Sequence, residues 1–261
     1  MNPTFYQVDA FTTHLFSGNP ATVCPLDAWL PDEMLQKIAA EMNQPTTAFL
    51  VDQGARFEIR WFSPTHEFAP CGHGAIASAA VVFERMRPDV DAIEFTSPIG
   101  TLELVRRDTL YELAFPEQVL GEVPVTPDFE EALGARPERI IEAHALFAVF
   151  PDEATVRQMQ PDMAKLGRLH PLGIGITAPG DERGIDYVSR YFAPNIGIIE
   201  DHATGSAQTA LGPYWGRRLD LTQLRTRQLS PRGGEMHVTL DGDRVKIAGE
   251  VVFVHEGTLT L

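Results

Sequence analysis

The chain has 261 residues, a length that suits one large domain or two of about 100–150 residues each. Hydrophobic residues make up 44% of it, which is enough to bury a core and excludes a globally disordered chain. The formal net charge is −15, and this acidity argues against binding to nucleic acid or to an anionic membrane, because both would be repelled.

Cysteine usage and the N-terminal residues bear on the compartment. Cys24 and Cys71 are the only cysteines, too few for a secreted disulfide framework, so free thiols in a reducing compartment are expected. The first residues, MNPTFYQVDAF, lack the basic and apolar regions of a signal peptide. No run of 18 apolar residues predicts a membrane span. We therefore expect a cytoplasmic protein.

Segments rich in β-branched and aromatic residues, bounded by Gly, Pro or Asp, predict strands. The sequence DGD at 241–243 predicts a hairpin turn inside the last of them. The segments are FYQVDAF at 5–11, FEIRWF at 57–62, AIEFTSPIGTLEL at 92–104, LYELAF at 110–115 and HVTLDGDRVKIAGEVVFV at 237–254.

Five helices are predicted. Apolar residues recur at helical spacing between Pro31 and Asn43. A second helix is expected from near Gly74 to about Arg85, and its small residues on all sides predict that it is buried all round. Because a few helices are segregated among many strands, the predicted fold class is α+β. The remaining helices are predicted at about 127–134, 152–168 and 205–214.

The chain also contains an internal repeat. RWFSP at 60–64 resembles RYFAP at 190–194, and CGHGAIASA at 71–79 resembles HATGSAQTA at 202–210. The segment PEQVLGEVPVTPD at 116–128 is rich in proline and acid and predicts a linker between the halves. We therefore expect two domains related by a pseudo-twofold axis, each with a glycine-rich turn before a helix of small residues.

The two predicted helix starts are the strongest candidates for a site. A helix N-terminus presents unpaired N–H groups and a positive partial charge, so two such ends would bind a carboxylate or an enolate. The alternative is that both are plain turns and that the cysteine serves only packing. The residues there that can move or hold protons are Cys71 and His73 in the first turn, and Asp201, His202, Thr204 and Ser206 in the second.

Other motifs carry weaker signals. SGNP at 17–20 is either a plain turn or a device that aims the Asn19 amide at a ligand. The remaining histidines are scattered without ligand spacing, so no metal site is expected. No phosphate-loop pattern occurs, so nucleotide binding is not expected either.

Five stretches, in order along almost the whole chain, resemble the PhzF-type proteins. This is the phenazine-biosynthesis isomerase-like family, which shares its fold with diaminopimelate epimerase and proline racemase. The stretches are VDAFTTHLFSGNPATVC at 8–24, IAAEMNQPTTAFL at 38–50, RWFSPTHEFAPCGHGAIASA at 60–79, SRYFAPNIGIIEDHATGSAQTAL at 189–211 and RQLSPRGG at 227–234.

The resemblance implies two domains, each a curved β-sheet or barrel wrapped around a central helix, with the site in the cleft between them. The expected bounds are 1–115, joined by a last strand at about 254–261, and 116–253. The resemblance also implies a homodimer that needs no metal, nucleotide or organic cofactor. The best-known activity of the family moves a carbon-bound proton on a dihydro-hydroxyanthranilate, so a small carboxylate-bearing substrate is expected.

Position by position, the resemblance assigns roles to residues at both turns. His73 and Asp201 would hold or shuttle the proton, and Ser206 with the helix N–H groups would hold the substrate carboxylate. The glycines and the SGNP turn would shape the pocket. The candidate substrate-binding residues are therefore Ser206, Gly205, Thr204, Gly72, Gly74, Asn19 and Gly18.

One position departs from the family pattern. The family reads Ser-Glu-Thr-Ala-Phe after its first helix, and that glutamate is the proton-abstracting base. Here the stretch is PTTAF, with Thr46 at the glutamate position. The pKa of a threonine hydroxyl is far too high for it to act as a general base near neutral pH. The hydroxyl can still hydrogen-bond a substrate. A smaller departure is Gln208, where many members have histidine.

Cys71 is a further catalytic candidate. It stands where the epimerase branch has the first of its two opposed thiols, while the repeat places His202 at the second. The chain is therefore not expected to be a two-thiol racemase, but a Cys71 thiolate favoured by the helix dipole is chemically reasonable. Three interpretations stay open: a proton-moving isomerase or related lyase, a non-catalytic binding protein on the same scaffold, and a likeness of fold alone.

Overall fold

The computed structural model describes residues 2–261. Contacts between Cα atoms divide the chain into two units. Unit 1 comprises the residues up to Ala114 together with Ala248–Leu261, and unit 2 is Phe115–Ile247. Both units combine many strands with a few helices, so the α+β prediction is confirmed.

Unit 1 begins with a strand that its last strand joins. β1 pairs antiparallel with β18 and with β2, β2 pairs parallel with β3, and β3 pairs antiparallel with β4. β4 pairs antiparallel with β5 and parallel with β6, and the strands from β6 to β8 follow as antiparallel hairpins. The elements are β1 (Thr4–Ala10), β2 (Asn19–Leu26), α1 (Asp32–Met42), β3 (Thr46–Asp52), β4 (Phe57–Phe62), β5 (Glu67–Phe68), α2 (Gly72–Val81), β6 (Ala92–Ser97), β7 (Gly100–Arg107), β8 (Leu110–Pro116) and β18 (Val251–Thr258).

Helix α2 is the central helix of unit 1. Every residue from Gly74 to Val81 is buried, and the helix contacts β1, β2 and β3. Its alanines let these strands approach from several sides, which confirms the prediction of a helix buried all round. It begins at Gly72, two residues earlier than predicted, because the Ala75 N–H already bonds the Cys71 carbonyl at 3.0 Å. Beyond Val81 the chain continues as a π-helical turn at Val82–Met86.

Unit 2 contains the remaining strands and four helices. β10 pairs antiparallel with β9 and β11, β11 pairs parallel with β12, and β12 pairs antiparallel with β13. β13 pairs antiparallel with β14 and parallel with β15, which forms a hairpin with β16. The elements are β9 (Gly121–Val123), α3 (Pro127–Leu133), β10 (Arg139–Glu142), β11 (Leu146–Val149), α4 (Glu153–Gln158), α5 (Met163–Leu169), β12 (Ile174–Pro179), β13 (Tyr187–Ala193), β14 (Ile198–Asp201), α6 (Gln208–Leu219), β15 (Gln223–Gln228), β16 (Gly234–Asp241) and β17 (Arg244–Gly249).

The two units repeat one topology. In each, an antiparallel pair is followed by a parallel pair and then by two antiparallel pairs that lead into a helix of small residues. The strand after that helix pairs parallel with the strand two before it, β6 with β4 in unit 1 and β15 with β13 in unit 2. The sequence repeat therefore corresponds to a repeated fold.

The predicted helix at 152–168 is wrong as a single element. The structure has α4 and α5 with a break between them, and Pro161 lies in the break. Proline has no N–H to donate, and its ring clashes with the carbonyl four residues earlier, so a helix cannot run through it undisturbed. Asp162 then caps α5, because its Oδ1 accepts from the N–H groups of Ala164 and Lys165 at 3.0 and 3.1 Å.

Two other predicted bounds also differ from the structure. The helix predicted at 205–214 is α6, which begins at Gln208, because the residues just before it form tighter turns with bonds such as Gln208 N–H to Gly205 O at 3.0 Å. The segment predicted as a linker, 116–128, contains β9, which pairs with β10, and the start of α3.

The hairpin predicted at 241–243 is present between β16 and β17. Among residues 2–261, no helix combines the length and the apolar character needed to cross a membrane.

The Cys24 thiol makes the fold less stable as the pH rises into the alkaline range. Cys24 is fully buried on β2 beside Leu35 and Phe49, and burial raises the pKa of its thiol from 9.0 to about 12. The raised pKa means that the folded state keeps its proton while the unfolded thiol ionises above pH 9. This contribution is therefore complete below pH 9 and is lost as pH rises from 9 towards 12.

We expect this thiol to lower the free energy of unfolding by about 1.4 kcal/mol between pH 8 and pH 10. Urea denaturation of the wild type and of Cys24→Ala at both pH values measures it. The variant should be less stable at pH 8 but should lose about 1.4 kcal/mol less than the wild type on going to pH 10. Equal losses in the two proteins would show that Cys24 does not carry the effect.

Candidate active site

The start of α2 brings three predicted site residues together. Cys71 is the N-cap of the helix, and Gly72 and His73 occupy its first turn. Thr46 Oγ1, at the start of β3, is hydrogen-bonded to Cys71 Sγ at 3.2 Å, and His73 Nδ1 lies 3.7 Å from the same sulfur. Thr46 and Cys71 are buried and His73 is half-buried. A hydroxyl, a thiol and an imidazole thus form a connected row in unit 1.

Gly74 must be glycine because the chain packs so closely there. A Cβ at this position would lie 2.9 Å from each of three atoms, namely Cys71 Sγ, Thr46 Cγ2 and Trp61 Cδ1. All three side chains are buried and cannot move aside freely. The glycine therefore allows the row of Thr46 and Cys71 to lie directly against the helix start.

Trp61 is a member of this cluster that the sequence did not single out. Its indole is fully buried on β4, and its Nε1 has no hydrogen-bond partner among residues 2–261. Buried polar groups without a partner are rare, so this N–H on β4 is an unusual feature of the surroundings of α2. The residue belongs to the RWF part of the internal repeat, but the repeat alone did not reveal which side of the strand it occupies.

The SGNP turn is shaped by Gly18. This residue has a φ of +69°, and a Cβ on it would lie 2.2 Å from the Ala10 carbonyl oxygen, so only glycine fits. Asn19 begins β2 and is buried. It stands two residues before Ala21, the register partner of Thr46, so the two side chains share the face of the sheet that meets α2.

In unit 2, Asp201 lies at the end of β14 in a tightly bonded loop. The Thr204 hydroxyl donates to Asp201 Oδ2 at 2.6 Å. Gln228 Nε2 donates to the Asp201 carbonyl at 2.6 Å, and Gln228 Oε1 accepts from the Thr204 N–H at 2.8 Å. Hydrogen bonds to an ionised carboxylate are among the stronger ones in proteins, so this loop holds Asp201 in a defined orientation. The buried Gln228 was not predicted, because nothing local in the sequence connects it to residue 201.

Gly205 and Ser206 lie in the turn just before α6. The Ser206 carbonyl accepts from both the N–H and the hydroxyl of Thr209, at 3.2 and 2.6 Å. Gln208 donates from Nε2 to the Thr204 carbonyl at 3.1 Å and accepts from the Tyr187 hydroxyl at 2.7 Å. The departure at Gln208 thus has a structural role, since it connects the turn to β13.

Matched ion pairs stand ahead of both turns. Arg60 donates to Glu67 through two nitrogens at 2.7 and 2.6 Å, and Arg190 does the same to Glu200 at 2.7 and 3.0 Å. Each guanidinium also lies about 5 Å from a phenylalanine ring two residues further along its strand. Such two-pronged pairs fix geometry as well as charge, so each holds the hairpin that leads to its turn. Glu200 immediately precedes Asp201.

Within residues 2–261, no group of three or more His, Cys, Asp or Glu side chains is placed to hold a metal ion. The expected independence of metals and cofactors stays a prediction. The predicted site residues fall into two sets: Thr46, Cys71, Gly72, His73, Gly74, Gly18 and Asn19 in unit 1, and Asp201, Thr204, Gly205 and Ser206 in unit 2.

Comparisons with known proteins give a consistent result. A family described as phenazine biosynthesis-like protein matches residues 8–257. An uncharacterized isomerase of Pseudomonas aeruginosa is 45% identical over 262 residues and covers both chains completely. A phenazine biosynthesis-like domain-containing protein of mouse is 33% identical over 294 residues, again covering both chains completely.

Solved structures agree with these sequence matches. A PhzF-family protein of Enterococcus faecalis superposes with a TM-score of 0.97 at 39% identity and covers both chains completely. A predicted epimerase of Pseudomonas aeruginosa gives a TM-score of 0.78 at 20% identity, and covers 99% of each chain. At that identity the second likeness concerns the fold alone.

Proposed function

The chain belongs to the phenazine biosynthesis-like, or PhzF, family, and we propose that it is an isomerase that moves a proton on a small carboxylate-bearing metabolite. The observation that carries the proposal is the Asp201 carboxylate, half-buried and hydrogen-bonded by Thr204 in the turn before α6. The matching turn of unit 1 carries His73 and Cys71. Each turn thus offers a group able to take or give a proton.

Asp201 is the proposed base. It removes a proton from one carbon of the substrate, exchanges it with solvent, and delivers a proton to another carbon of the same molecule. The Thr204 hydroxyl orients the carboxylate through Oδ2, and Gln228 fixes the backbone on both sides of the loop. Positioned acid and base groups of this kind accelerate proton transfer by about 10²- to 10⁴-fold.

The substrate carboxylate is proposed to lie at the turn that contains Gly205 and Ser206. N–H groups at such a turn carry partial positive charge and bind anions well. They also stabilise the enolate that forms when a proton leaves the carbon next to a carboxylate. Gly72 and Gly74 play the corresponding part at α2, where the absence of side chains allows close approach to the backbone.

Thr46 does not replace the family's glutamate as a base. Its hydroxyl is hydrogen-bonded to Cys71 Sγ, which suits a residue that orients the thiol. Under this proposal the proton transfer falls to Asp201. In unit 1, Cys71 and His73 are the remaining acid–base candidates, with Cys71 Sγ bonded to Thr46 and 3.7 Å from His73 Nδ1.

A second candidate function is favoured by Thr46 itself. A protein that keeps the fold but has lost the glutamate could bind a carboxylate ligand without turning it over. This alternative shares the ligand-binding turns with the first and differs only in the absence of proton transfer. The expected homodimer and cytoplasmic location are compatible with both functions and stay predictions.

Solvent exchange distinguishes the two functions. The protein is incubated in heavy water with a panel of small cyclic unsaturated carboxylates, and each compound is then examined by proton NMR and mass spectrometry. An isomerase introduces carbon-bound deuterium into at least one compound. If compounds bind, as shown by calorimetry, and none gains deuterium, the binding function stands and the isomerase is excluded.

A further inference from the structure

Tyr191 lies directly opposite Asp201. The two residues are register partners on the antiparallel strands β13 and β14. Directly opposed residues on such strands project to the same face of the sheet, with Cβ atoms about 4.5–5.5 Å apart. The phenol of Tyr191 and the carboxylate of Asp201 are therefore neighbours on one face.

This face is the one that meets α6. Tyr187, four residues earlier on β13, stacks on Trp215 of α6 with ring centroids 5.9 Å apart and donates to Gln208 of the same helix. The pairing of β13 with β12 is regular from Tyr187 to Tyr191, so alternate residues keep the same side. Tyr191 therefore lies on the face of β13 that packs against α6.

Gly173 leaves room for the phenol. A Cβ on Gly173 would lie 2.6 Å from the Tyr191 hydroxyl oxygen, and its φ of +153° also favours glycine. By strand register, Gly173 stands in unit 2 where Thr46 stands in unit 1, because Ile174 pairs with Phe192 as Thr47 pairs with Phe62. In unit 2 the hydroxyl of Tyr191 therefore occupies the space that the side chain of Thr46 occupies in unit 1.

The phenol is a hydrogen-bond donor near neutral pH. Burial and the negative charge of Asp201 raise the pKa of Tyr191 to about 12. The tyrosine keeps its proton when Asp201 is charged, and a protonated phenol donates well. The Asp201 carboxylate repels an anionic oxygen at the phenol, so a neutral oxygen is the better acceptor there, while the ligand carboxylate is proposed to lie at the Gly205–Ser206 turn.

We propose that Tyr191 is a substrate-recognition residue that donates a hydrogen bond to a neutral oxygen, a hydroxyl or a carbonyl, on the carboxylate-bearing ligand held beside Asp201. The role of that ligand as a substrate rests on the proposed function, but the recognition itself requires only binding. The residue selects ligands that carry both a carboxylate and such an oxygen.

Affinity for matched ligands tests the inference. Isothermal calorimetry compares benzoate with its 2-, 3- and 4-hydroxy derivatives on the wild type, on Tyr191→Phe and on Tyr214→Phe, a control that removes a hydroxyl bonded to Arg218 on α6. The wild type and the control are expected to prefer one hydroxylated isomer by about fivefold, the worth of one hydrogen bond, and Tyr191→Phe to lose that preference. The inference is overturned if Tyr191→Phe keeps the preference, or if the wild type shows none for any isomer.

The result separates this inference from the proposed function. Loss of the preference in Tyr191→Phe, with no deuterium exchange by the wild type, supports the recognition role and removes the isomerase. Exchange by the wild type with an unaltered preference in Tyr191→Phe supports the isomerase and overturns the recognition role. If the variant does not fold, NMR of the wild type labelled with ¹³C at the tyrosine ζ carbon replaces it. The chain has only five tyrosines, so the spectrum contains few signals. The Tyr191 signal should then shift with a hydroxybenzoate and not with benzoate, and an unmoved signal overturns the inference.

Discussion

Asp201→Asn is expected to lower the rate of deuterium exchange into substrate by about 10²- to 10⁴-fold. Asparagine keeps the size of the side chain, and its oxygen still accepts from the Thr204 hydroxyl that now bonds Oδ2 at 2.6 Å. The loop held by Gln228 should therefore remain in place. The amide cannot take up a proton from carbon, so chemistry is lost while ligand binding stays within about threefold of the wild type. Exchange rates from NMR and affinities from calorimetry give the two quantities.

The matched control is Asp128→Asn, which makes the same change on the exposed first turn of α3. It should leave both the exchange rate and the affinity unaltered. A variant at position 201 that retains more than a tenth of the wild-type rate would show that another group is the base. Cys71 and His73 would then be the next residues to replace.

Arg190→Met is expected to lower the free energy of unfolding by about 3–5 kcal/mol. The guanidinium is nearly fully buried, bonds Glu200 through two nitrogens, and donates to the carbonyls of Val156 and Met159 at 3.1 and 2.7 Å. Methionine fills similar space but leaves a largely buried carboxylate and two carbonyls without their donor. Urea denaturation followed by circular dichroism measures the loss.

Arg60→Met is the control that the repeat supplies. Arg60 makes the same two-pronged contact, but its partner Glu67 is about a third exposed, so the expected cost is only about 1 kcal/mol. Replacing both partners, as in Arg190→Met with Glu200→Leu, should recover part of the loss, because no charge is then left buried alone. If Arg190→Met costs no more than Arg60→Met, the Arg190 pair does not hold the hairpin before Asp201.

Local sequence patterns predicted the elements that depend on neighbouring residues. The central helix of unit 1 follows from a run of small apolar residues after a glycine turn, and the helix between Pro31 and Asn43 follows from apolar spacing and its end signals. The break at Pro161 was also readable, since a proline inside a helix lacks the N–H that the helix needs, although α6 continues through Pro213.

Contacts between distant residues could not be predicted in the same way. The bond between Thr46 and Cys71 joins positions 25 apart, and Gln228 reaches Thr204 across 24 residues. The position of Tyr191 opposite Asp201 depends on strand register next to a bulge, which no local pattern specifies.

The internal repeat predicted which arginines are equivalent but not which residues they contact. It identified Arg60 and Arg190 as equivalent but did not reveal their glutamate partners. Glu67 follows its arginine by seven residues and Glu200 follows its own by ten, so the two partners do not align in the sequence. Only the folded hairpins, β4 with β5 and β13 with β14, bring each pair together.

The central claim is that proton transfer proceeds with threonine at position 46, and exchange in heavy water by three matched proteins tests it most directly. The proteins are the wild type, Thr46→Glu and Thr46→Gln, the last matching the glutamate in size but not in charge. The account predicts carbon-bound deuterium in a carboxylate substrate treated with the wild type, with no need for a carboxylate at position 46. Exchange by Thr46→Glu alone, with none by the wild type or by Thr46→Gln, would contradict it and leave a binding protein that has lost its base.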